Sequence, residues 1–434
     1  MRIGLIQPWP VMENWRGKKS VFVFPPLSLI QLAAVTPSRH RLEIYDETNR
    51  QIDLNGPFDV VGISVTTPAA NRAYQLASHF RNRGIPVVLG GIHPSVCPSE
   101  ASQHADAIAI GEGERIWQQI LRDVECGSLQ RVYKANNALK PEEIPSGDRS
   151  WIRPGEYFIP ETIQATRGCP WHCSFCSSAT LWGRNVRCRP IEHVIREIAA
   201  FKRRFFVFLD DNLFAVRDYA AQLMTRLKPL NKRWVAQTDL KLSEHEQLIR
   251  SARRSGCLAV LVGLESNNPL NLLDIHKGLA NADEYRRSIV ALHQHGILVQ
   301  GSFILGFDGD TNESVLGLLE FCERLGLDTA NFSILTPFPG TATYSRFKRE
   351  HRLLSSNWDH YNREDVVFRS SSLSPQQLIE LRLHLYRRFY SWTSIRRRIP
   401  RTWRHIPLYF VYNFSYRAGI ANLERKFRQQ ISVI

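Results

Sequence analysis

At 434 residues with 43% hydrophobic content the chain is long enough for two or three separately cored domains, and no apolar run approaches the ~18–20 residues of a membrane helix. Eight cysteines in such a length exclude a disulfide framework, and the opening Met-Arg-Ile-Gly-Leu-Ile-Gln-Pro lacks the layout of a signal peptide, so a reducing, cytoplasmic setting is expected. The net charge of +15 invites a nucleic-acid reading, but its distribution argues against one: from Leu381 onward there are twelve Lys/Arg against one acid, a balance of +11, which leaves about +4 for the rest.

Along residues 1–127, short apolar runs at Ile3–Ile6, Leu42–Tyr45, Val60–Val65, Val87–Leu89 and Ala107–Ile110 alternate with helical patterns at Leu27–Thr36, Ala69–Arg83 and Gly113–Val124. This alternation predicts βαβ units and a parallel, doubly wound Rossmann-like sheet. Ligands of such sheets bind beyond the carboxyl ends of the strands. The residues there are Gln7-Pro-Trp-Pro10, Ser64 with Thr66 and Thr67, Gly90-Gly91-Ile-His93-Pro94, and Gly111-Glu112-Gly113-Glu114. No G-x-G-x-x-G follows the first strand, which disfavours a nicotinamide cofactor. Residues 128–160 are rich in Pro, Gly and polar side chains and are expected to be a linker.

From residue 161 the alternation resumes, with strands expected at Thr162–Thr166, Phe205–Leu209, Trp234–Gln237, Ala259–Leu264, Val299–Gly306 and Asn331–Leu335. Six βα units over 161–342 predict a partial barrel rather than a closed one of eight. After the first of these strands stands Thr166-Arg-Gly-Cys169-Pro-Trp-His-Cys173-Ser-Phe175-Cys176-Ser177. Thiolates select zinc, copper(I) or iron–sulfur clusters. Structural zinc needs four ligands, and His172, adjacent to Cys173, would strain the chelate needed to complete such a site. Three ligands on a four-iron cluster leave one iron open for a substrate. Cys97, Cys126, Cys188, Cys257 and Cys322 are scattered and read as small buried hydrophobes.

The C-x3-C-x2-C spacing, with Phe175 before the third cysteine, resembles the signature of the radical S-adenosylmethionine (SAM) enzymes. The pieces Pro25-Pro-Leu-Ser-Leu29, Asp59-Val-Val-Gly-Ile-Ser64, Val87-Val-Leu-Gly-Gly-Ile-His-Pro94 and Gly111-Glu-Gly-Glu114 resemble the cobalamin-binding domain found in front of many of them. The resemblance implies a [4Fe–4S] cluster on Cys169, Cys173 and Cys176. It also implies SAM held by Phe175, Asp210 or Asp211, Gln237, Glu265, Ser266 and an apolar surface at Phe303. Cobalamin would lie against Ser64, Thr66, Thr67, Gly90, Gly91, His93, Gly111, Glu112 and Gly113. The family's Gly-Gly-Glu-like motif is replaced here by Asp210-Asp211, which lacks the glycines. Residues 7–20 contain no histidine, so the lower face of cobalamin is expected to lack a histidine ligand; Asp274-Ile-His276-Lys-Gly278 is a decoy, one residue short and in the other domain.

The implied activity is radical C-methylation of an unactivated carbon on a small-molecule or lipid-like substrate, with a flavodoxin or ferredoxin as electron donor. The alternatives are a radical SAM oxidoreductase or cyclase without methyl transfer, and a cobalamin or cluster-based sensor contacting nucleic acid. Residues 343–434 are expected to be helical, with a helix at Leu373–Trp392 capped by Ser374, followed by interleaved arginines and aromatics. That pattern fits a solvated helical cap, or peripheral contact with the inner membrane surface in preference to nucleic acid.

Overall fold

The computed structural model describes residues 1–10, 23–277, 282–400 and 405–431. The first sheet holds β1 (Arg2–Gln7), β2 (Arg41–Asp46), β3 (Val60–Ser64), β4 (Val87–Gly90), β5 (Ala107–Ile110) and β6 (Val132–Lys134). All pairings are parallel, in the order β2-β1-β3-β4-β5-β6. The strands read as unbroken apolar runs because helices cover both faces. Leu27–Val35 and Gly113–Glu125 bury Leu29, Ile116, Trp117 and Ile120 on one side, and Ala70–Asn82 buries Ala73, Leu76 and Phe80 on the other. The order reverses between β1 and β3, which opens a crevice at the carboxyl ends of these strands.

The second sheet is also parallel, in the order β14-β13-β12-β11-β10-β7. Its strands are β7 (Thr162–Ile163), β10 (Phe205–Phe208), β11 (Arg233–Thr238), β12 (Cys257–Glu265), β13 (Leu298–Leu305) and β14 (Thr329–Ile334). A separate antiparallel pair, β8 (Thr166–Arg167) with β9 (Arg187–Cys188), flanks the cysteine segment. Within β13, Gly301, Phe303 and Leu305 are buried while Gln300, Ser302 and Ile304 are half-buried. One face therefore packs on helices and the other lines the concave side of an open (βα)6 partial barrel.

Three local expectations change. The first barrel strand ends at Ile163 rather than Thr166, because the Asp210 carboxylate takes the N–H groups of Ala165 and Thr166 that would continue the ladder. The segment read as linker contains β6, which extends the first sheet. The helix expected at Leu373–Trp392 stops at Phe389, and a second one starts at Trp392 behind a Ser391 cap.

The C-terminal helices close the open edge of the barrel. The Tyr390 hydroxyl accepts from Ala330 N and donates to Ala330 O, the Tyr386 hydroxyl accepts from Phe332 N, and Arg382 Nε donates to Phe332 O. Side chains thus satisfy the row of backbone groups that a missing neighbour strand would have paired. Arg398 donates to Asp328 O and Phe389 O and lies 3.8 Å over the Phe389 ring. Part of the basic, aromatic tail is therefore structural, and Arg382 and Arg398 are not a solvated basic face.

Candidate active site

Cys169, Cys173 and Cys176 lie half-buried on the loop between β8 and β9, at the carboxyl end of β7. Gly168 lets the chain turn into this loop: its φ is +101°, and a Cβ there would sit 2.7 Å from Asn185 O. The loop is braced on several sides. Ser174 N donates to Ile275 O, Thr343 N donates to Ser174 O, the rings of His172 and His276 stack at 5.1 Å, and Trp171 Nε1 donates to Asp239 Oδ2 at 2.8 Å. Burial pushes the Cys169 and Cys173 thiols up to about 11, and the neighbouring carboxylates and thiols act in the same direction. Three thiolates gathered at this depth need a cation to bind them, which is the environment of a thiolate-ligated metal centre.

The two aspartates after β10 have different surroundings. Asp210 is 2% exposed and accepts from Ala165 N, Thr166 N and the Thr166 hydroxyl, so its carboxylate is committed to the backbone. Asp211 lies beside Cys169; its Oδ1 accepts from Ser178 at 2.6 Å, and its buried Oδ2 has no partner among the described residues. Of the pair, Asp211 is the one open to a ligand, and Asp210 is corrected to a residue that shapes the loop. Burial pushes the Asp210 carboxyl up to about 7. A carboxyl raised on folding contributes stability that is complete below its unfolded value and is lost as pH rises through the folded one. The melting temperature is therefore expected to fall between about pH 4 and 7, and Asp210→Asn to flatten that slope, as thermal scans across this range would show.

Glu265 ends β12 in a left-handed conformation (φ 64°), and its Oε1 pairs with Lys277 next to Cys173. Ser266 is 2% exposed; its hydroxyl accepts from Asn268 N and Asn271 Nδ2 and so closes the loop that follows. Gln237 is exposed on the concave side of β11. Phe175 is half-buried against the barrel core, 6.2 Å from the Phe307 ring. Phe303 is corrected: it is fully buried, stacks on Phe332 and meets Phe321, so it belongs to the helix-facing core and presents nothing to the site. Alternation along β13 puts Ser302 and Ile304 on the concave side in its place.

At the carboxyl ends of the first sheet, Ser64, Thr66, Gly90, Gly91, Gly111 and Gly113 form an accessible rim of small residues. Gly91 has φ +96°, and a Cβ there would meet Val65 N at 2.9 Å. Ser95 ties two of these turns together, donating to Gly91 O and accepting from Gly111 N. Three residues expected on this rim lie inside instead. His93 is fully buried, bonded to Tyr74 at 3.0 Å and held 5.2 Å from the Trp358 ring. Thr67, 4% exposed, contacts the same imidazole. Glu112 is 5% exposed and accepts from Arg167, Arg187 and Leu139 N.

These last contacts bring the two sheets together. Arg167, two residues before Cys169, is 1% exposed and reaches Glu112 at 2.6 Å, Glu114 at 2.5 Å and Gln31 at 3.1 Å. Its guanidinium stacks 4.6 Å from Trp182, in the same loop after the cysteines. Gly340, after β14, accepts from Thr180 and lies against Val96. The carboxyl ends of both sheets therefore face one another across the cysteine loop. Arg167, Lys277, Ser178 and Trp171 are members of this centre that sequence reading missed. Trp171 and Ser178 had a signal, being inside or beside the cysteine run; the burial of Arg167 and Lys277 had none.

Residues 163–322 match the family model of the radical SAM superfamily, and residues 32–121 that of the B12 binding domain. The chain is 32% identical over 396 residues to bacteriochlorophyllide d C-12(1)-methyltransferase of Chlorobaculum tepidum, covering 87% of this chain and 86% of that one. It is 30% identical over 405 residues to bacteriochlorophyllide d C-8(2)-methyltransferase of the same organism, covering 88% and 89%. The fold is similar to that of the radical S-adenosylmethionine methyltransferase TsrM from Kitasatospora setae, with a TM-score of 0.72, 16% identity and coverage of 100% and 99%. Cysteine loop, partial barrel and B12-binding sheet converge on one conclusion: the chain belongs to the radical SAM enzymes that carry a B12-binding domain, whose cofactors are a [4Fe–4S] cluster, SAM and cobalamin.

Proposed function

We propose that the protein C-methylates an unactivated carbon of a small, largely apolar molecule, with chlorin-type tetrapyrroles the first candidates. The observation that carries this reading is the joint at Arg167, which sets the small-residue rim of the first sheet beside the cysteine loop of the second. The two relatives above, both bacteriochlorophyllide d methyltransferases by name, support the substrate class.

When bound, cluster and SAM supply a carbon-centred radical by reductive cleavage, and cobalamin supplies the methyl group. Cys169, Cys173 and Cys176 would hold three irons and leave the fourth open to SAM. Asp211, through its unpartnered Oδ2, would accept a hydrogen bond from the SAM ammonium. Glu265, steadied by Lys277, and Gln237 would meet the ribose and carboxylate. Ser266 and Phe175 would shape the pocket behind them. Ser64, Thr66, Gly90, Gly91, Gly111 and Gly113 would let the corrin approach the backbone closely. His93 is enclosed and residues 7–20 contain no histidine, which supports a lower face without a histidine ligand.

The reading includes a flavodoxin or ferredoxin as electron donor and a cytoplasmic location, peripheral at the inner membrane surface. Anaerobically reconstituted protein supplied with cobalamin, SAM, a reductant and bacteriochlorophyllide d is expected to release 5′-deoxyadenosine and S-adenosylhomocysteine in equal amounts, with a product heavier by one methylene. Deoxyadenosine without S-adenosylhomocysteine would return the protein to the oxidoreductase or cyclase reading.

A further inference from the structure

The last helix, Ile406–Ile431, has two apolar faces where a surface helix has one. Its inner face carries Tyr409, Asn413 and Ile420, buried against the barrel and the preceding helices. Its outward positions, at helical spacing, are Pro407, Val411, Phe414, Ala418 and Ala421. All five are apolar and exposed, over about four turns. Phe414 is 42% exposed and Val411 37%. Beside them stands Trp392, 59% exposed with its ring 5.5 Å from that of Phe414.

The stripe is bordered by cations. Arg425 and Arg428 continue the outward face of the same helix, Arg396 and Arg397 lie exposed on the preceding helix, and Arg417 stacks 4.4 Å from Trp392. Contiguous exposed apolar surface marks a contact site. An apolar stripe set among arginines, with a tryptophan beside it, has the layout of a helix lying in a bilayer interface. No helix among the described residues is long and apolar enough to cross a membrane. A second copy of the chain would bring the same arginines against each other, whereas an anionic headgroup layer complements them.

We infer that the outward face of residues 407–421, with Trp392 and the arginines around it, docks the protein on an anionic bilayer surface. The inference deepens the peripheral location proposed above, naming the surface and the lipid charge it needs, and does not depend on methyl transfer. Deleting the segment would be a poor test, because Tyr409 and Asn413 are built into the fold. Point substitutions on the outward face spare those contacts.

The full-length protein is to be sedimented with vesicles of phosphatidylcholine alone, or of phosphatidylcholine with phosphatidylglycerol. Binding is expected only to the anionic vesicles and to weaken with salt. Val411→Glu combined with Phe414→Glu should abolish it. Arg396→Gln combined with Arg397→Gln should weaken it about tenfold or more. Circular dichroism and thermal melting should show all these proteins folded. Three results would overturn the inference: no binding to either vesicle, equal binding by wild type and variants, or a change in oligomeric state on gel filtration that accounts for the effect of the substitutions. Deoxyadenosine and S-adenosylhomocysteine measured on the same preparations separate its failure from a failure of the methyltransferase reading.

Discussion

Replacing Cys173 with alanine is expected to remove the iron–sulfur absorption and electron paramagnetic resonance signals and to lower reductive SAM cleavage at least a thousandfold. Cys169, Cys173 and Cys176 are the only cysteines gathered on one loop at the mouth of the barrel, and each lies half-buried near charged or thiol neighbours. With three thiolates a four-iron cluster keeps one open iron; with two it loses an anchor and exposes a second iron. A thousandfold loss corresponds to about 4 kcal/mol of transition-state stabilisation, which is modest for removal of a metal centre. The same measurements on Cys126→Ala, at an exposed surface position, and on Cys188→Ala, on the strand that follows the loop, should give near wild-type iron content. SAM cleavage that survives Cys173→Ala would falsify the cluster assignment, whatever the substrate proves to be.

The second large effect is structural. Arg167→Ala is expected to destabilise the protein by about 3–5 kcal/mol, the range for removing one partner of a buried ion pair. Burial raises the Glu112 carboxyl, but hydrogen bonds from Arg187 and Arg167 outweigh it and hold that carboxyl below its ordinary value. Without Arg167, Glu112 keeps Arg187, but Glu114 loses its buried partner and Gln31 loses its donor. For a chain of this size the loss should appear as a fall in melting temperature of about 3–6 °C. Because Arg167 also joins the first sheet to the cysteine loop, Arg167→Ala should cleave SAM more readily than it transfers methyl groups. Arg167→Lys is expected to restore part of the stability but not the forked contact with two carboxylates. An unchanged melting temperature in Arg167→Ala would show that the joint contributes little.

Much of this architecture was legible along the chain. Apolar runs of three to eight residues, broken by turns and alternating with amphipathic stretches, located eleven of the strands, because strands packed against helices leave a hydrophobic trace along the chain. The three cysteines were legible because close spacing on one loop is a local property. The small strands β6, β8 and β9 were missed: each is two or three residues long, too short to show a period.

Side-chain direction was the harder quantity. Phe303, His93, Thr67, Glu112 and Asp210 all stand within three residues of strand ends, where a ligand-facing role is the natural expectation, yet all five point into the fold. A strand alternates faces at every residue, so an offset of one position reverses the assignment. Asp210 and Asp211 differ as sharply in the turn after β10: adjacent in sequence, one is spent on the N–H groups of Ala165 and Thr166, and the other keeps a buried oxygen unpaired beside Cys169.

The sequence by itself determined the family, the order of the two sheets and the three thiolates, since each depends on spacing along a single stretch of chain. Only the tertiary structure decided which carboxylates are available, that Arg167 joins the two halves, and that the outward face of the last helix is apolar. Those properties depend on partners 27 to 136 residues away in sequence or on which face of a helix is covered, and neither is encoded in local periodicity.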